Sequence, residues 1–188
     1  MHSVILYFGS FNPVHKGHMA VAEWILEQGL CNEVWFVVSP QNPRKRERRA
    51  RLRLAAAASR YSRRMRACDV EFSLPRPSYT VDTLSVLTER YPDTTFSLLV
   101  GSDIPGQITQ WKEWRKLLDN YKIYVYPRRG YPAPAADCGF TVLEGAPFED
   151  YSSTEVRTAL TEGGGDDMVP DVVKEYIKTQ GLWNTGKR

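Results

Sequence analysis

The stretch VILYFGSFNPVHKGH, residues 4–18, decides how the chain begins to fold. Within it, Val4–Phe8 is a short apolar run that stops at Gly9, the pattern of a buried strand followed by a turn. Beyond it, apolar side chains recur at the spacing of one helix face, at Met19, Ala22, Ile25 and Leu26. The stretch therefore predicts a strand, a polar turn and a helix in direct succession.

The rest of the chain repeats this alternation of short apolar runs and helical patterns. We predict further strands at Val34–Val38, Cys68–Phe72, Thr95–Val100, Lys122–Tyr126 and Phe140–Leu143. Further helices are predicted around Leu52–Ala58 and at Tyr79–Tyr91, Trp111–Leu118, Ser153–Glu162 and Pro170–Thr179, with a loop at Ser39–Arg48. The alternation predicts an α/β fold, a mostly parallel sheet with helices on both faces, and a ligand site at the carboxyl ends of the strands.

Bulk properties limit the class of protein. At 188 residues, 42% hydrophobic and 25% charged, the chain is expected to form one domain, 1–188, of ordinary soluble character. No apolar run approaches the roughly 20 residues that span a bilayer, and the first residues lack a basic leader, so neither membrane insertion nor secretion is expected. Cys31, Cys68 and Cys138 are far apart, which argues against a disulfide framework and favours a reducing cytoplasm.

The charge is unevenly distributed. Residues 44–66 contain eleven Lys or Arg and one acid, Glu47, a charge of +10, which leaves −7 for the remainder of a chain whose net charge is +3. A basic block in an otherwise acidic chain predicts an anionic partner near that block, either a phosphorylated small molecule or nucleic acid. Nucleic acid is the weaker alternative, because no aromatic residue accompanies these charges before Tyr61.

The turn after the first strand holds two of the three histidines, His15 and His18. Gly9 allows a tight turn, Pro13 stiffens it, and Gly17 allows close approach at a helix N-terminus, where free amides favour phosphate. The imidazoles could donate hydrogen bonds to phosphate oxygens. A plain connection with locally bonded histidines, and a zinc site that lacks a nearby third ligand, are weaker interpretations.

This turn resembles the HxGH signature of the nucleotidyltransferase superfamily. The resemblance implies a Rossmann-like, doubly wound sheet in which His15 and His18 bind the triphosphate of ATP. Phe8 and Asn12 depart from the family, which often carries glycine and aspartate at these two positions.

Later segments resemble those of bacterial nicotinate-nucleotide adenylyltransferases, in the right order from about Val4 to Trp183. The matching segments are Arg76-Pro77-Ser78-Tyr79-Thr80-Val81-Asp82-Thr83-Leu84, Leu99-Val100-Gly101-Ser102-Asp103, Trp111-Lys112-Glu113-Trp114, Tyr151-Ser152-Ser153-Thr154-Glu155-Val156-Arg157 and the ending from Pro170. Ser152 and Glu155 alone would be explained as a helix capping box. Arg157 is not, and a bidentate donor beside helix amides suits an anion.

The resemblance implies a role for each matching residue. His15, His18 and Arg157 are expected to act on the reacting phosphates. ATP is expected to contact Gly9, Ser10, Phe11, Gly17, Gly101, Asp103, Ser152, Ser153 and Thr154. The pyridine nucleotide is expected to contact Asn12, Arg44, Lys45, Thr80, Trp111 and Lys112. For Asp103, Thr80 and Trp111, capping or packing would be the ordinary explanation of the residue type.

The reaction that the resemblance implies joins ATP and nicotinate mononucleotide to give deamido-NAD and pyrophosphate. No general base is expected, because the acceptor phosphate is ionised at neutral pH, and magnesium is expected to arrive with ATP, because no acidic cluster suggests a protein metal site. The alternatives are the same transfer to nicotinamide mononucleotide and a non-catalytic nucleotide sensor. The sequence does not define an oligomeric state.

Overall fold

The computed structural model describes residues 1–40, 45–135, 138–148 and 150–183, with only the helical backbone described for 45–48. Six strands are present: β1 (His2–Gly9), β2 (Glu33–Val38), β3 (Met65–Cys68), β4 (Thr94–Gly101), β5 (Ile123–Tyr126) and β6 (Thr141–Val142). The α-helices are α1 (Lys16–Glu27), α2 (Lys45–Ala58), α3 (Thr80–Arg90), α4 (Trp114–Asn120), α5 (Ser153–Thr161) and α6 (Asp171–Gln180). Short 3₁₀ helices occupy Ser59–Tyr61, Val70–Ser73, Pro105–Gln110 and Asp166–Met168.

The strands form one sheet in the order β3-β2-β1-β4-β5-β6. All five pairings among these strands are parallel. The order runs outward in both directions from β1 and β4, so the sheet is doubly wound and the switch point lies between these two strands. The predicted Rossmann-like fold is confirmed.

Alternation along the strands assigns each helix to a face of the sheet. Ile5 and Tyr7 of β1 pack in a cluster with side chains of α1, α2, α5 and α6, whereas Val4 and Leu6 pack in a second cluster with α3 and α4. Both sets are buried because successive strand side chains point to opposite faces, and helices cover both. This explains why the segment Val4–Phe8 of β1 is apolar without interruption.

Three predicted elements are wrong in their bounds. The strand predicted at Cys68–Phe72 ends at Cys68, because β3 pairs with β2 only over Met65–Cys68, and the following Val70–Ser73 is a 3₁₀ helix. The loop predicted at Ser39–Arg48 is shorter, since α2 begins at Lys45. The helix predicted from Trp111 begins only at Trp114. Among the described residues, no helix is both long and apolar enough to cross a membrane.

Candidate active site

A cleft with two adjoining lobes opens at the carboxyl ends of β1 and β4, the switch point of the sheet. One lobe, of about 340 Å³, reaches the N-terminus of α5 and is called the α5 lobe here. The other, of about 400 Å³, reaches the N-terminus of α3 and is called the α3 lobe. Both are lined by Phe8, Gly9, Ser10, Arg51, Tyr126 and Arg128. The lobes are thus two parts of one site.

His15 and His18 form a reciprocal capping box at the N-terminus of α1. The His18 amide donates to His15 Nδ1 at 3.3 Å, and the His15 amide donates to His18 Nδ1 at 3.1 Å. The two rings stack with centroids 3.6 Å apart. Because each Nδ1 accepts a backbone N–H, the hydrogen-bond network assigns the ring proton to Nε2 in both residues.

The two histidines differ in their access to the cleft. His18 lines the α5 lobe, where its ring can present an Nε2–H donor. His15 is fully buried behind it, with Tyr151 edge-on at 5.0 Å, and lines neither lobe. The geometry therefore separates a ring that faces the cleft from a ring that supports it.

Phe11 shapes the turn between β1 and α1. It is 1% exposed, it contacts the Tyr7, His18 and Phe36 rings edge-on, and its φ is 44°. A Cβ on Gly9 would meet the Phe11 ring at 3.0 to 3.3 Å, which is why glycine suits that position. Gly9, Ser10, Phe11 and Asn12 all line the α5 lobe, whereas Gly17, which was also predicted to contact ATP, lines neither lobe.

The N-terminus of α5 is docked on the same turn. Ser152 and Glu155 form the predicted capping box. Ser153 Oγ donates to Pro13 O at 2.9 Å, and Arg157 donates to Asn12 O at 2.7 Å and to Thr154 Oγ1 at 3.1 Å. The amide end of α5 and the Arg157 guanidinium therefore join His18 around one lobe, an arrangement that suits an anion.

An ion pair crosses the end of β4. Arg128 Nη1 lies 3.0 Å from Asp103 Oδ2, and both side chains are mostly buried. Asp103 Oδ1 is buried and accepts no hydrogen bond from the described residues, so a ligand hydroxyl would satisfy it. A Cβ on Gly101 would lie 2.2 Å from Arg128 Cδ, so the close crossing requires glycine at that position.

Two residues predicted to contact the pyridine nucleotide, Thr80 and Trp111, line the α3 lobe. Thr80 is the first residue of α3, whose N-cap, Tyr79, makes no side-chain cap. Trp111 lines the same lobe, in extended conformation after a 3₁₀ turn. The amide end of a helix and a flat indole thus share this lobe, and together they suit a planar ring that carries an anionic group.

For three residues predicted to contact the pyridine nucleotide, the described residues give no evidence of that contact. Lys112 lines neither lobe, because its ammonium pairs with Asp82 at 2.9 Å and lies over the Tyr79 ring at 5.0 Å. The Asp82 carboxylate raises the pKa of Lys112. Arg44 lies outside the described residues, and Lys45 is described only as the start of α2. The roles of these residues stay predictions.

Arg51, Glu71, Tyr126 and Arg128 line the cleft and were missed by sequence reasoning. Arg128 follows a predicted strand, so the rule that strand ends form the site would have found it. Glu71 carried no such signal, because it lay inside a segment predicted as a strand. No group of three or more possible metal-ligating side chains occurs in the part of the chain that the structure describes.

Comparison with known proteins gives consistent results. The model of the cytidylyltransferase-like family matches residues 6–159. A protein of Bacteroides thetaiotaomicron, described as a probable nicotinate-nucleotide adenylyltransferase, is 42% identical over 184 residues, which cover 92% of this chain and 91% of that protein. A protein of Cytophaga hutchinsonii with the same description is 39% identical over 168 residues, which cover 84% and 85% of the two chains.

Solved structures agree at the level of the fold. The nicotinic acid mononucleotide adenylyltransferase of Plasmodium falciparum, complexed with NaAD, superposes with a TM-score of 0.78 over 98% of each chain, at 20% identity. The same enzyme complexed with APC gives the same values.

Proposed function

This chain belongs to the nicotinate-nucleotide adenylyltransferases within the cytidylyltransferase-like family, and from that premise we propose that it joins ATP and nicotinate mononucleotide into deamido-NAD, releasing pyrophosphate. One observation carries the proposal beyond family membership. A lobe lined by His18, Arg157 and the α5 amide end adjoins a lobe lined by Thr80 and Trp111, across the switch point of the sheet. Two anionic substrates could therefore meet in one cleft.

The proposed chemistry is a direct displacement. An oxygen of the mononucleotide phosphate attacks the α-phosphorus of ATP, and the bond from that phosphorus to the oxygen bridging the β-phosphorus breaks, so that pyrophosphate leaves. Since the attacking phosphate is ionised at neutral pH, the site has no proton to remove, and its task is alignment and neutralisation of charge. His18 Nε2–H, the Arg157 guanidinium and the α5 amides would supply donors to the α-phosphate and to the leaving group.

Asp103, Thr80 and Trp111 line the α3 lobe. Asp103 would accept from ribose hydroxyls of ATP through its buried Oδ1, which accepts no hydrogen bond from the described residues. Thr80 would present its amide to the nicotinate carboxylate, and Trp111 would stack on the pyridine ring. His15 would act through His18, by holding its ring and tautomer.

Magnesium would enter as the ATP complex and supply positive charge to the triphosphate. The described residues fit this route, because they provide anion donors at the α5 lobe. We further propose that 1–188 forms one nucleotidyltransferase domain that works in the cytoplasm, a location supported by the free thiols of Cys31, Cys68 and Cys138.

The test is pyrophosphate release from ATP with nicotinate mononucleotide or nicotinamide mononucleotide, with the dinucleotide product identified by mass. We expect deamido-NAD to form with a higher kcat/KM than NAD. A preference for the amide would replace the proposed acceptor with its closest alternative. Absence of transfer to both, with ATP still bound, would support a nucleotide sensor instead.

A further inference from the structure

Glu71 is a buried carboxylate in the wall of the α3 lobe. It is 4% exposed, and it lies in the 3₁₀ helix Val70–Ser73, between β3 and α3. Charged side chains are rarely buried unless donors satisfy them, so the contacts of this one indicate what keeps it there.

Two hydroxyl groups donate to Glu71. Thr83 Oγ1, on α3, donates to Oε1 at 3.0 Å, and Ser78 Oγ, in the loop before α3, donates to Oε2 at 3.0 Å. Ser39, directly after β2, lines the same lobe, and its side chain also lowers the pKa of the carboxylate. The Ser39 amide donates to Gly9 O at 2.9 Å. The carboxylate thus lies in the lobe wall beside the end of β2, and two hydrogen bonds tie it to the start of α3.

Burial raises the pKa of Glu71, whereas the hydroxyls of Thr83, Ser78 and Ser39 oppose that rise. A buried charge whose desolvation is offset by hydrogen bonds adds little net stability compared with apolar packing. Its specific effect is geometric, because two directional hydrogen bonds fix the loop before α3 and the first turn of α3. Thr80 stands between Ser78 and Thr83 in the sequence, so the first turn of α3 is held on both sides of it.

We propose that Glu71 is a positioning residue for the acceptor nucleotide, because it holds the amide end of α3 at the wall of the lobe that also contains Trp111. The inference rests on the proposed function, in which the pyridine mononucleotide binds in this lobe. Glu71 itself does not need to touch the acceptor: its effect passes through Ser78 and Thr83. Variants of the two hydroxyl residues should therefore reproduce the effect of changing Glu71.

The experiment compares Thr83→Val, Thr83→Ser, Ser78→Ala and Glu71→Gln. Thr83→Val keeps the shape of the side chain and removes only the hydroxyl, whereas Thr83→Ser keeps the hydroxyl. Asp166→Asn is the matched control, because Asp166 pairs with Lys174 and Lys178 far along the chain and lines neither lobe. Thermal unfolding of every variant establishes that the fold persists.

The readouts are KM for each substrate, kcat, and the Kd of nicotinate mononucleotide measured by calorimetry without ATP. We expect Thr83→Val, Ser78→Ala and Glu71→Gln to raise the KM and Kd of the mononucleotide about fivefold to tenfold, the effect of losing one buried hydrogen bond. KM for ATP and kcat should change less than about twofold, since Glu71 has no hydrogen bond to His18, Arg157 or Asp103. Thr83→Ser should stay near the wild-type values, as should Asp166→Asn.

Three results would overturn the positioning role. They are an equal rise in KM for both substrates, an effect confined to Glu71→Gln, which would make Glu71 a direct contact, and no effect in any variant. Failure of the proposed function is seen separately. A wild-type protein that binds the mononucleotide without forming a dinucleotide contradicts only the proposed reaction, and the Kd series still decides the role of Glu71. A wild-type protein that binds no mononucleotide contradicts both.

Discussion

His15 and His18 cap each other, each ring accepting the backbone N–H of the other residue through Nδ1, at 3.3 and 3.1 Å. The reciprocal bonds leave Nε2 as the protonated nitrogen in both rings. They also explain the spacing of the pair, because a capping box needs its members three residues apart. The three-residue spacing therefore caps the N-terminus of α1 and also lets His18 present an Nε2–H donor to the α5 lobe.

The first prediction concerns the ring that faces the cleft. His18→Ala removes an Nε2–H donor from the α5 lobe, and we expect kcat to fall by about 10²- to 10³-fold, the effect of removing one preorganised donor. Loss of its share of the cap should cost about 1 kcal/mol of unfolding free energy, which leaves the fold intact. Steady-state kinetics and thermal unfolding measure both effects.

The control for His18 is His2→Ala. His2 begins β1 and lines neither lobe, so its removal should leave kcat unchanged. A His18→Ala protein with wild-type turnover would remove His18 from the reaction.

The second prediction concerns the Arg128 side chain, which passes close to Gly101 at the end of β4 and pairs with Asp103. In Gly101→Ala the new Cβ would lie 2.2 Å from Arg128 Cδ and 2.5 Å from Asp103 Oδ1, so the ion pair must open. We expect KM for ATP to rise about tenfold, as misplaced binding groups cost affinity, with a smaller change for the mononucleotide. Kinetics with each substrate varied in turn measure the effect.

Gly106→Ala is its matched control, because a Cβ there meets nothing within 4 Å. If Gly101→Ala and Gly106→Ala had the same KM for ATP, the Arg128–Asp103 pair would have no part in nucleotide binding.

The third prediction tests whether the site requires the planar, bidentate guanidinium of Arg157. Arg157 donates to Asn12 O and Thr154 Oγ1, and the residue lines the α5 lobe. Arg157→Ala should lower kcat/KM by about 10²-fold, and Arg157→Lys should recover little, because an ammonium cannot copy a planar fork.

Arg115→Ala serves as the control for Arg157, since Arg115 lies over the Trp114 ring and lines neither lobe. Full recovery of kcat/KM by lysine would show that charge alone is required.

The fourth prediction concerns stability in acid. The Arg129 side chain and the Ser152 backbone and hydroxyl groups lower the pKa of Glu155 from 4.5 to about 2. A lowered pKa in the folded state adds stability at neutral pH that is lost as pH falls from about 4.5 to about 2. The Tm of the wild type should therefore exceed that of Glu155→Gln at pH 7, and the difference should shrink through that window.

Glu89→Gln, on the exposed side of α3, should show no such change of Tm difference with pH. A Glu155→Gln difference that stays constant down to pH 2 would contradict the assigned ion pair and cap.

Much of the fold could be predicted from local patterns. Of the apolar run Val4–Phe8, the residues Val4–Tyr7 are buried on both faces of the sheet, as the composition of the run indicates, and the α5 cap was recognisable from Ser152 and Glu155. The strand predicted at Cys68–Phe72 is wrong, because alternating apolar and polar residues occur in strands and also in other half-buried backbone. Its pairing ends at Cys68, where the partner strand β2 is about to end, and no local signal marks that point.

Four of the residues that the motifs single out lie together in the structure. His18, Arg157, Asp103 and Trp111 all line the cleft, and their roles stay predictions. Lys112 belongs to the same motif as Trp111, yet it pairs with Asp82, because α3 brings a carboxylate within its reach. Such a contact depends on two elements that are 30 residues apart.

The sequence by itself determined the alternating elements, the glycine-containing turn after β1 and the residue types at the cleft, because these follow from local periodicity and from motif spacing. Only the tertiary structure decided which side chains meet. The order β3-β2-β1-β4-β5-β6 places the ends of β1 and β4 side by side, and α5 then returns to the first turn, where Arg157 reaches Asn12 across 145 residues. The same packing buries Glu71 near the hydroxyls of Ser39, Ser78 and Thr83. Which groups surround a buried charge depends on how segments from different parts of the chain pack together, and no local pattern predicts it.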